Sequence, residues 1–271
     1  MKIHGTAKGG ALSTKDFGVA FGGAAAAVCT TYPDSITTTA NGVVSGAVIN
    51  TTDQLFGSGC LSFDQDEDNF VNVDGLIPAM RGTVGSISIW YRLPESKTGY
   101  MFMFGDTDGD SYINMSAESG SGVFGTEVLG RDSGSTVFKA AKSGLALDEW
   151  HNNTLVQDGT TVKFYVDNVD ISFSNTTDMS LWIGNDLDNV RIGSGKKNNQ
   201  SEEDFYSGLL QGACFWDVAI SDDVRNHIWN SGTGRQISQL CPTYNSDDII
   251  AWYNMQSLTN STLVNNATPV S

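Results

Sequence analysis

The stretch "WHNNTLVQDGTTVKFYVD" (residues 150–167) holds an alternating run, an Asp-Gly pair and a second alternating run. In the first run Thr154 and Val156 share one face and Leu155 takes the other. In the second, Val162, Phe164 and Val166 alternate with Lys163 and Tyr165. A repeat of two puts successive side chains on opposite faces of a strand, and Asp-Gly tolerates the positive φ of a tight turn. The stretch therefore reads as a β-hairpin with one face turned to a core. Trp150, just ahead of the first run, is expected to plug the end of that core. No serine or cysteine nucleophile motif adjoins His151, so it reads as a structural or solvent-facing group rather than a catalyst.

The same period recurs on both sides of the hairpin. "GCLSF" sets Leu61 and Phe63 against Cys60 and Ser62, and after the acidic turn "DQDED" Phe70, Val71 and Val73 open another strand. "GSISIWYRL" sets Ile87, Ile89 and Tyr91 against Ser86, Ser88 and Trp90. "YMFMFG" is apolar on both faces, as a strand covered on each side must be. "DTDGD" turns it toward a hairpin partner, "SYINMSA". Late in the chain "SDDVRNHIWNSGTG" carries a Ser221 N-cap, acidic residues in the first turn and a glycine stop, predicting one short helix near 221–230. "DDIIAWYNMQ" predicts a last strand over 248–255. Short strands at close spacing without long helices indicate an all-β antiparallel sandwich. Residues 1–30, Gly-rich and without sustained period, are expected to form an extended N-terminal arm, leaving 31–271 as one domain.

Composition narrows the partners. Of 271 residues, 39% are hydrophobic and 10% aromatic, enough for a large core. Fifteen Lys and Arg against thirty-one Asp and Glu leave a net charge of −16, which repels nucleic acid and anionic membranes. No apolar run approaches the ~20 residues needed to span a bilayer. The start of the chain lacks a continuous aliphatic core and cleavage site, so no signal peptide is expected. The four cysteines show no CxxC spacing and His4, His151 and His227 stand far apart, which disfavours a transition-metal site.

In their order and spacing, "GCLSFDQDEDNFVNV", "SISIWYRL", "FMFGDTDGD", "WHNNTLVQDGTTVKFYVDN", "LDNVRIG" and "YSGLLQGACFWDVAISDDVRNHIWNSGTG" resemble a laminin-G-like jelly roll. That family belongs to the concanavalin A-like lectin/glucanase superfamily, and the likeness spans residues 45 to 235. In style it is similar to copies in phage and archaeal-virus structural proteins. The chain departs from the family at Gln65 and Asn168, where glycine is common.

Three sites follow as expectations. The "GDTDGD" loop offers Asp106, Asp108 and Asp110, and "FDQDEDN" offers Asp64, Asp66, Glu67 and Asp68. Clustered loop carboxylates suit calcium, and the resemblance implies edge-loop calcium, although Ser111 and Ala117 stand where an EF-hand needs Gly and Glu. Plain solvated turns are the alternative. Trp182 and Tyr206, with Asn185 and Asn189, are candidate glycan contacts; Tyr100, Trp229 and Asn198 also lie near turns. Strand facing together with the resemblance implies a Cys60–Cys214 bridge, with Cys29–Cys241 tying arm to tail; four unlinked thiols are the alternative. Glu202, Glu203 and Asp204 are consecutive, so they cannot present a glycosidase pair from one strand face and read as a solvated loop.

The expected protein is a non-enzymatic virion structural component (capsid decoration, fibre or spike), released on host lysis. Its partners would be other virion subunits or itself as a homo-oligomer, and a host-surface glycan. A free lectin or adhesin, with calcium as its only cofactor, is the alternative; a polysaccharide hydrolase or lyase is third.

Overall fold

The structure, a computed structural model, describes residues 40–80, 82–120, 123–182, 187–236 and 248–266. The expected arm over 1–30 lies outside them, as do Cys29, Asn185 and Cys241. The first strands are β1 (Gly42–Ser45), β2 (Val48–Asn50), β3 (Cys60–Phe63), β4 (Phe70–Asn72), β5 (Val84–Arg92) and β6 (Gly99–Gly105). Then come β7 (Tyr112–Gly120), β8 (Val123–Asp132), β9 (Ser135–Ser143), β10 (Trp150–Asp158), β11 (Thr161–Val166) and β12 (Val169–Ile171). β13 (Phe173–Thr176), β14 (Asn189–Ile192) and β15 (Gly208–Trp216) precede helix α1 (Asp222–Trp229), β16 (Ile249–Tyr253) and β17 (Thr262–Leu263).

They form two antiparallel sheets, as the alternation predicts. The nine-stranded sheet runs β13-β9-β8-β7-β6-β14-β4-β1-β17. The eight-stranded sheet runs β12-β11-β10-β5-β15-β3-β2, with β16 on the side of β15 that β3 leaves open. β3 pairs with Gly208–Leu210 and β16 with Ala213–Trp216. Between the two, buried Gln211 accepts from the Leu55 N–H at 2.9 Å and donates to the carbonyls of Phe56 (2.6 Å) and Gly59 (2.7 Å), clipping that loop to the sheet.

Inner faces meet in one apolar core. Leu155, Val162, Phe164 and Val166 enter it from the opening hairpin, and Ile87, Ile89 and Tyr91 from β5. The hairpin's paired ends are Asp158 and Thr161, so its loop residues are Gly159 and Thr160. Of these only Gly159 has positive φ (62°), the II′ pattern, in which glycine takes the first loop position. At the departure Asn168, Asp167 and Asn168 both take positive φ (51° and 66°) in a I′ turn, so asparagine fills the conformation glycine would. Gln65 instead opens a 3-10 turn, Gln65–Glu67, capped by the Asp64 side chain.

The short helix forms where its caps predict. The Ser221 side chain accepts from the Val224 N–H, and Asn230 closes the C-terminus in the left-handed region. Val224 and Ile228 pack with Val156, Tyr165, Cys214, Trp216 and Trp252 on the outer face of the eight-stranded sheet. Arg225 fastens the helix there, with its guanidinium 3.8 Å from the Tyr165 ring centre. The last predicted strand is β16. Among the described residues no helix is long and apolar enough to cross a membrane.

One inward residue departs from expectation. Parity with Leu155 turns Trp150 outward, where its indole N–H donates to the Asp53 carbonyl at 2.9 Å. His151 plugs the core's end instead, against Tyr91 and Phe124. Its Nδ1 lies 2.7 Å from Asp167 Oδ2 and its Nε2 lies 3.0 Å from the Ala146 carbonyl, so both ring nitrogens face acceptors. Burial works against the proton there, but the bond to Asp167 and its charge outweigh it and raise the pKa. A His pKa raised by folding adds stability that is full below the unfolded value, ~6.5, and fades as pH climbs through the folded value. Thermal unfolding across roughly pH 5 to 9 should therefore show a falling midpoint on the alkaline side. In His151→Gln that limb should flatten; an unchanged limb would assign it to other groups.

Candidate functional site

The two outer faces are covered differently. Helix α1 and its cluster close much of the eight-stranded sheet. Over the nine-stranded sheet a strap from Ser194 to Tyr206 lies across β6 and β14 and reaches Tyr112 on β7; Tyr112, Asn114 and Ser116 are buried, and the outward residues left exposed beside it are Glu118, Val123, Ala141 and Ser143. The strap is closed on itself by paired Gly195–Glu203 backbone bonds (2.8 and 2.9 Å). Lys197 Nζ reaches to 5.0 Å from the Tyr112 ring centre and 6.0 Å from that of Tyr100. Beneath it Arg191, 3% exposed, binds Asp74 at 2.6 Å and Glu202 at 3.2 Å. Glu202 and Glu203, expected as a solvated loop, are therefore half-buried pairing groups, Glu203 with Lys197.

Register organises this outer face into cross-strand rows of outward residues. Ser143, Gly125 and Glu118 form one row; Ala141, Glu127 and Ser116 form the next. A third runs Lys139, Leu129, Asn114, Met103. The first two rows hold a cleft of about 320 Å³ lined by Glu118, Val123, Gly125, Glu127, Ala141 and Lys142, among others. Small side chains make its floor. A Cβ on Gly125 would stand 2.3 Å from the Lys142 carbonyl oxygen, so only glycine lets β8 and β9 close there. Thr126, pointing inward, donates to the Ser116 carbonyl at 2.8 Å and accepts from Asn153 of the opposite sheet at 2.6 Å, which anchors the cleft to the core.

Two carboxylates stand on this floor as diagonal neighbours. Glu118 accepts from the Ser116 hydroxyl at 2.7 Å, and Glu127 pairs with Lys139 at 2.5 Å. Burial pushes the Glu127 carboxyl above its usual range; Lys139 opposes that, and the Glu118 charge adds to it. Carboxylate oxygens accept from vicinal hydroxyls, and Glu118 and Glu127 present such acceptors on neighbouring strands, a polar set that orients a polyol. A volume of this size lies at the small end of ligand clefts. Neither glutamate is a sequence-stretch motif: they lie on two strands and meet only through the β7–β8 register.

The sequence-predicted residues lie elsewhere. Trp182 is a core residue against Phe104, and Tyr206 is fully buried with its hydroxyl 3.3 Å from the Arg92 carbonyl. Asn189 is 3% exposed and donates to Thr107 Oγ1 at 3.2 Å. Turn-flanking aromatics here are inward residues of a thick core, so Trp182, Tyr206 and Asn189 do not form a sugar platform. Trp229 stacks on Trp90, ring centres 5.5 Å apart. Asn198 donates its N–H to the Asp106 and Gly109 carbonyls.

Nor do Asp106, Asp108 and Asp110 converge. Asp106 Oδ1 accepts from the Asp108 N–H at 2.9 Å, and Asp110 faces Arg131 at 3.6 Å. Among the described residues no group of three or more Asp, Glu, His or Cys is placed to hold a metal ion. Cys60 and Cys214 are separate buried thiols, which corrects the expected bridge. Cys60 lies opposite Asn50, at the sheet's β2 side, whereas Cys214 lies between Trp252 and Ser88 under the helix cluster. Burial, then the charge of Asp53, pushes the Cys60 thiol up to about 12.

Two outcomes follow. Non-reducing mass mapping should find Cys60 and Cys214 unlinked, and thiol reagents should label both only as the protein unfolds; fast labelling at neutral pH would contradict their burial. Arg191→Ala should destabilise by about 3 kcal/mol in chemical denaturation, the low end for a broken buried pair, because Asp74 keeps 40% exposure. A loss near zero would mean that the strap is held by other contacts.

Comparison with known proteins agrees with this architecture. The enzymatically active domain of tailspike protein 2 from bacteriophage CBA120 aligns over 85% of this chain and 35% of its own, with TM-score 0.58 and 12% identity. Domain 4 of AbnA, a GH43 extracellular arabinanase from Geobacillus stearothermophilus in complex with arabinotriose, aligns over 75% of this chain and 100% of its own, with TM-score 0.49 and 14% identity. The NanB sialidase from Streptococcus pneumoniae aligns over 63% of this chain and 27% of its own, with TM-score 0.47 and 16% identity. The chain thus spans about a quarter of that sialidase and about a third of the tailspike domain. No curated protein matches the sequence. A laminin-G family model, described as concanavalin A-like lectin/glucanases superfamily, matches residues 65–224, more than half of the chain. The chain belongs to that laminin-G family of the concanavalin A-like lectins and glucanases.

Proposed function

We propose that this chain is a non-enzymatic carbohydrate-binding domain displayed on a virion, meeting its glycan in the cleft over β7, β8 and β9. The observation that carries this reading is the cleft itself: a small-residue floor edged by Glu118 and Glu127, on the outer face of the nine-stranded sheet. The lectin-type sandwich supports it. The virion setting is supported by the resemblance of the sequence to viral structural copies, and a phage tailspike domain shares the fold. Oligomerisation with itself or other virion subunits belongs to the same proposal.

Hydrolysis is the second reading, favoured by the carboxylate pair. Diagonal neighbours on adjacent strands sit ~7–8 Å apart, within the range glycosidases use. The Lys139 ammonium at 2.5 Å opposes the proton that a general acid must carry, which supports binding over hydrolysis.

The test is a glycan array probed with the wild type and Glu118→Gln, each with calcium and with chelator. Wild type should be retained, and Glu118→Gln should lose about ten-fold in affinity with its unfolding midpoint unchanged. Calcium dependence would restore a metal-assisted site. Shortening of a retained polysaccharide by wild type but not by Glu118→Gln would replace binding with hydrolysis.

A further inference from the structure

Gly125 sits in the middle of the cleft. Along β8 it is flanked on the same face by Val123 and Glu127, and across the sheet it meets Glu118 on β7 and Ser143 on β9. The charges around it do not cancel. Glu127 is paired through Oε2 with Lys139, which lies one row beyond it, on the side away from Glu118. Glu118 is exposed, and its Oε1 accepts from the Ser116 hydroxyl at 2.7 Å. Among the described residues no lysine or arginine pairs with it. Lys142 stands opposite the inward Thr126, so its side chain leaves β9 from the other face of the sheet. The cleft thus holds two carboxylates and one ammonium, and that ammonium is already engaged. Burial raises the Glu127 carboxyl and the Glu118 charge adds to it, so the two acids repel across the hole. Such a site favours a cation and opposes an anion.

We infer that the sugar of the cleft carries a free amine: a hexosamine unit whose ammonium lies over Gly125 and donates to Glu118 and Glu127. The inference rests on the carbohydrate reading above and names its ligand class. Ser116 takes Oε1 of Glu118 and Lys139 takes Oε2 of Glu127, so each carboxylate keeps its other oxygen for the ligand. Diagonal partners on adjacent strands stand ~7–8 Å apart, a gap that two glutamate side chains close onto one ammonium with its three donors. Val123, 47% exposed, gives the ring carbons an apolar wall. An N-acetyl group removes the charge that both carboxylates attract. Uronate, sialate and sulfate groups meet Glu118 with like charge, and a chain of net charge −16 repels them from further off.

The test compares chitosan oligomers with the same oligomers N-acetylated, with oligogalacturonate, and with neutral β-glucan and arabinan oligomers. Binding is read in chelator at roughly pH 6, where an amine is protonated and an ordinary carboxylate is charged. Wild type should bind the free-amine oligomer about ten-fold more tightly than its N-acetylated twin and retain no galacturonate. Glu118→Gln should lose that preference; should it not fold, Glu118→Ser is read for the same loss. Asp223→Asn removes an equal charge from the exposed side of helix α1, over the other sheet, and should keep the preference. An equal loss in Glu118→Gln and Asp223→Asn traces the preference to net charge and overturns the inference. Equal binding of amine and N-acetyl oligomers, or retention of galacturonate or of neutral oligomers alone, overturns it too and leaves the carbohydrate reading standing. Binding to no glycan at all removes both.

Discussion

Period-two alternation at the centre of the eight-stranded sheet is the constraint on which everything else rests. β10 and β5 pair without interruption from Trp150↔Arg92 to Asp158↔Val84, so the inward choice of one residue fixes all the others. Leu155 facing inward brings His151 and Asn153 in and turns Trp150, Asn152 and Thr154 out. A slip of one residue would put the Asn152 amide and the Thr154 hydroxyl into the apolar space, where their bonds to Ser88 would be lost. The polar residues that do face inward are those with a partner to meet: Asn153 reaches Thr126 across the sandwich, and His151 reaches Asp167.

From that constraint the location of the site follows by covering. Each sheet of a sandwich has one face in the core and one to be dealt with. Helix α1 deals with much of one, burying Trp216 and Trp252. The strap deals with half of the other, burying Met103 and screening Tyr100 and Tyr112. What stays open is the end of β7, β8 and β9 around Glu118, Val123, Ala141 and Ser143, over a floor thinned by Gly125. The opening is a consequence of where the chain places its glycines and alanines, and of where the strap ends.

Much of the architecture was legible in the residues. The alternating runs, the Ser221 cap and the two-sided apolar run at Met101–Phe104 each reflect a local rule that the folded chain obeys. The site was not legible, for physical reasons. Glu118 and Glu127 are nine apart in the chain and become diagonal neighbours only through strand pairing, which periodicity does not reveal. Trp182 and Tyr206 attract attention because turns flank them, yet a turn says nothing about which way the next side chain points. Cys60 and Cys214 do lie in the same sheet, near the same strand, β15. Strand facing alone cannot show that they sit at different heights along it, with the changeover at Gln211 between them.

That changeover has a kinetic side. β15 is bordered by a strand from the start of the described chain and another from near its end, and β1 is bordered by β17. Neither sheet has its full complement of neighbours until residues 249–263 have left the ribosome. Such distant partnerships slow folding, because the chain between them must be closed before their contacts form. A truncated product lacking those residues would emerge with raw strand edges, a substrate for chaperones or for aggregation.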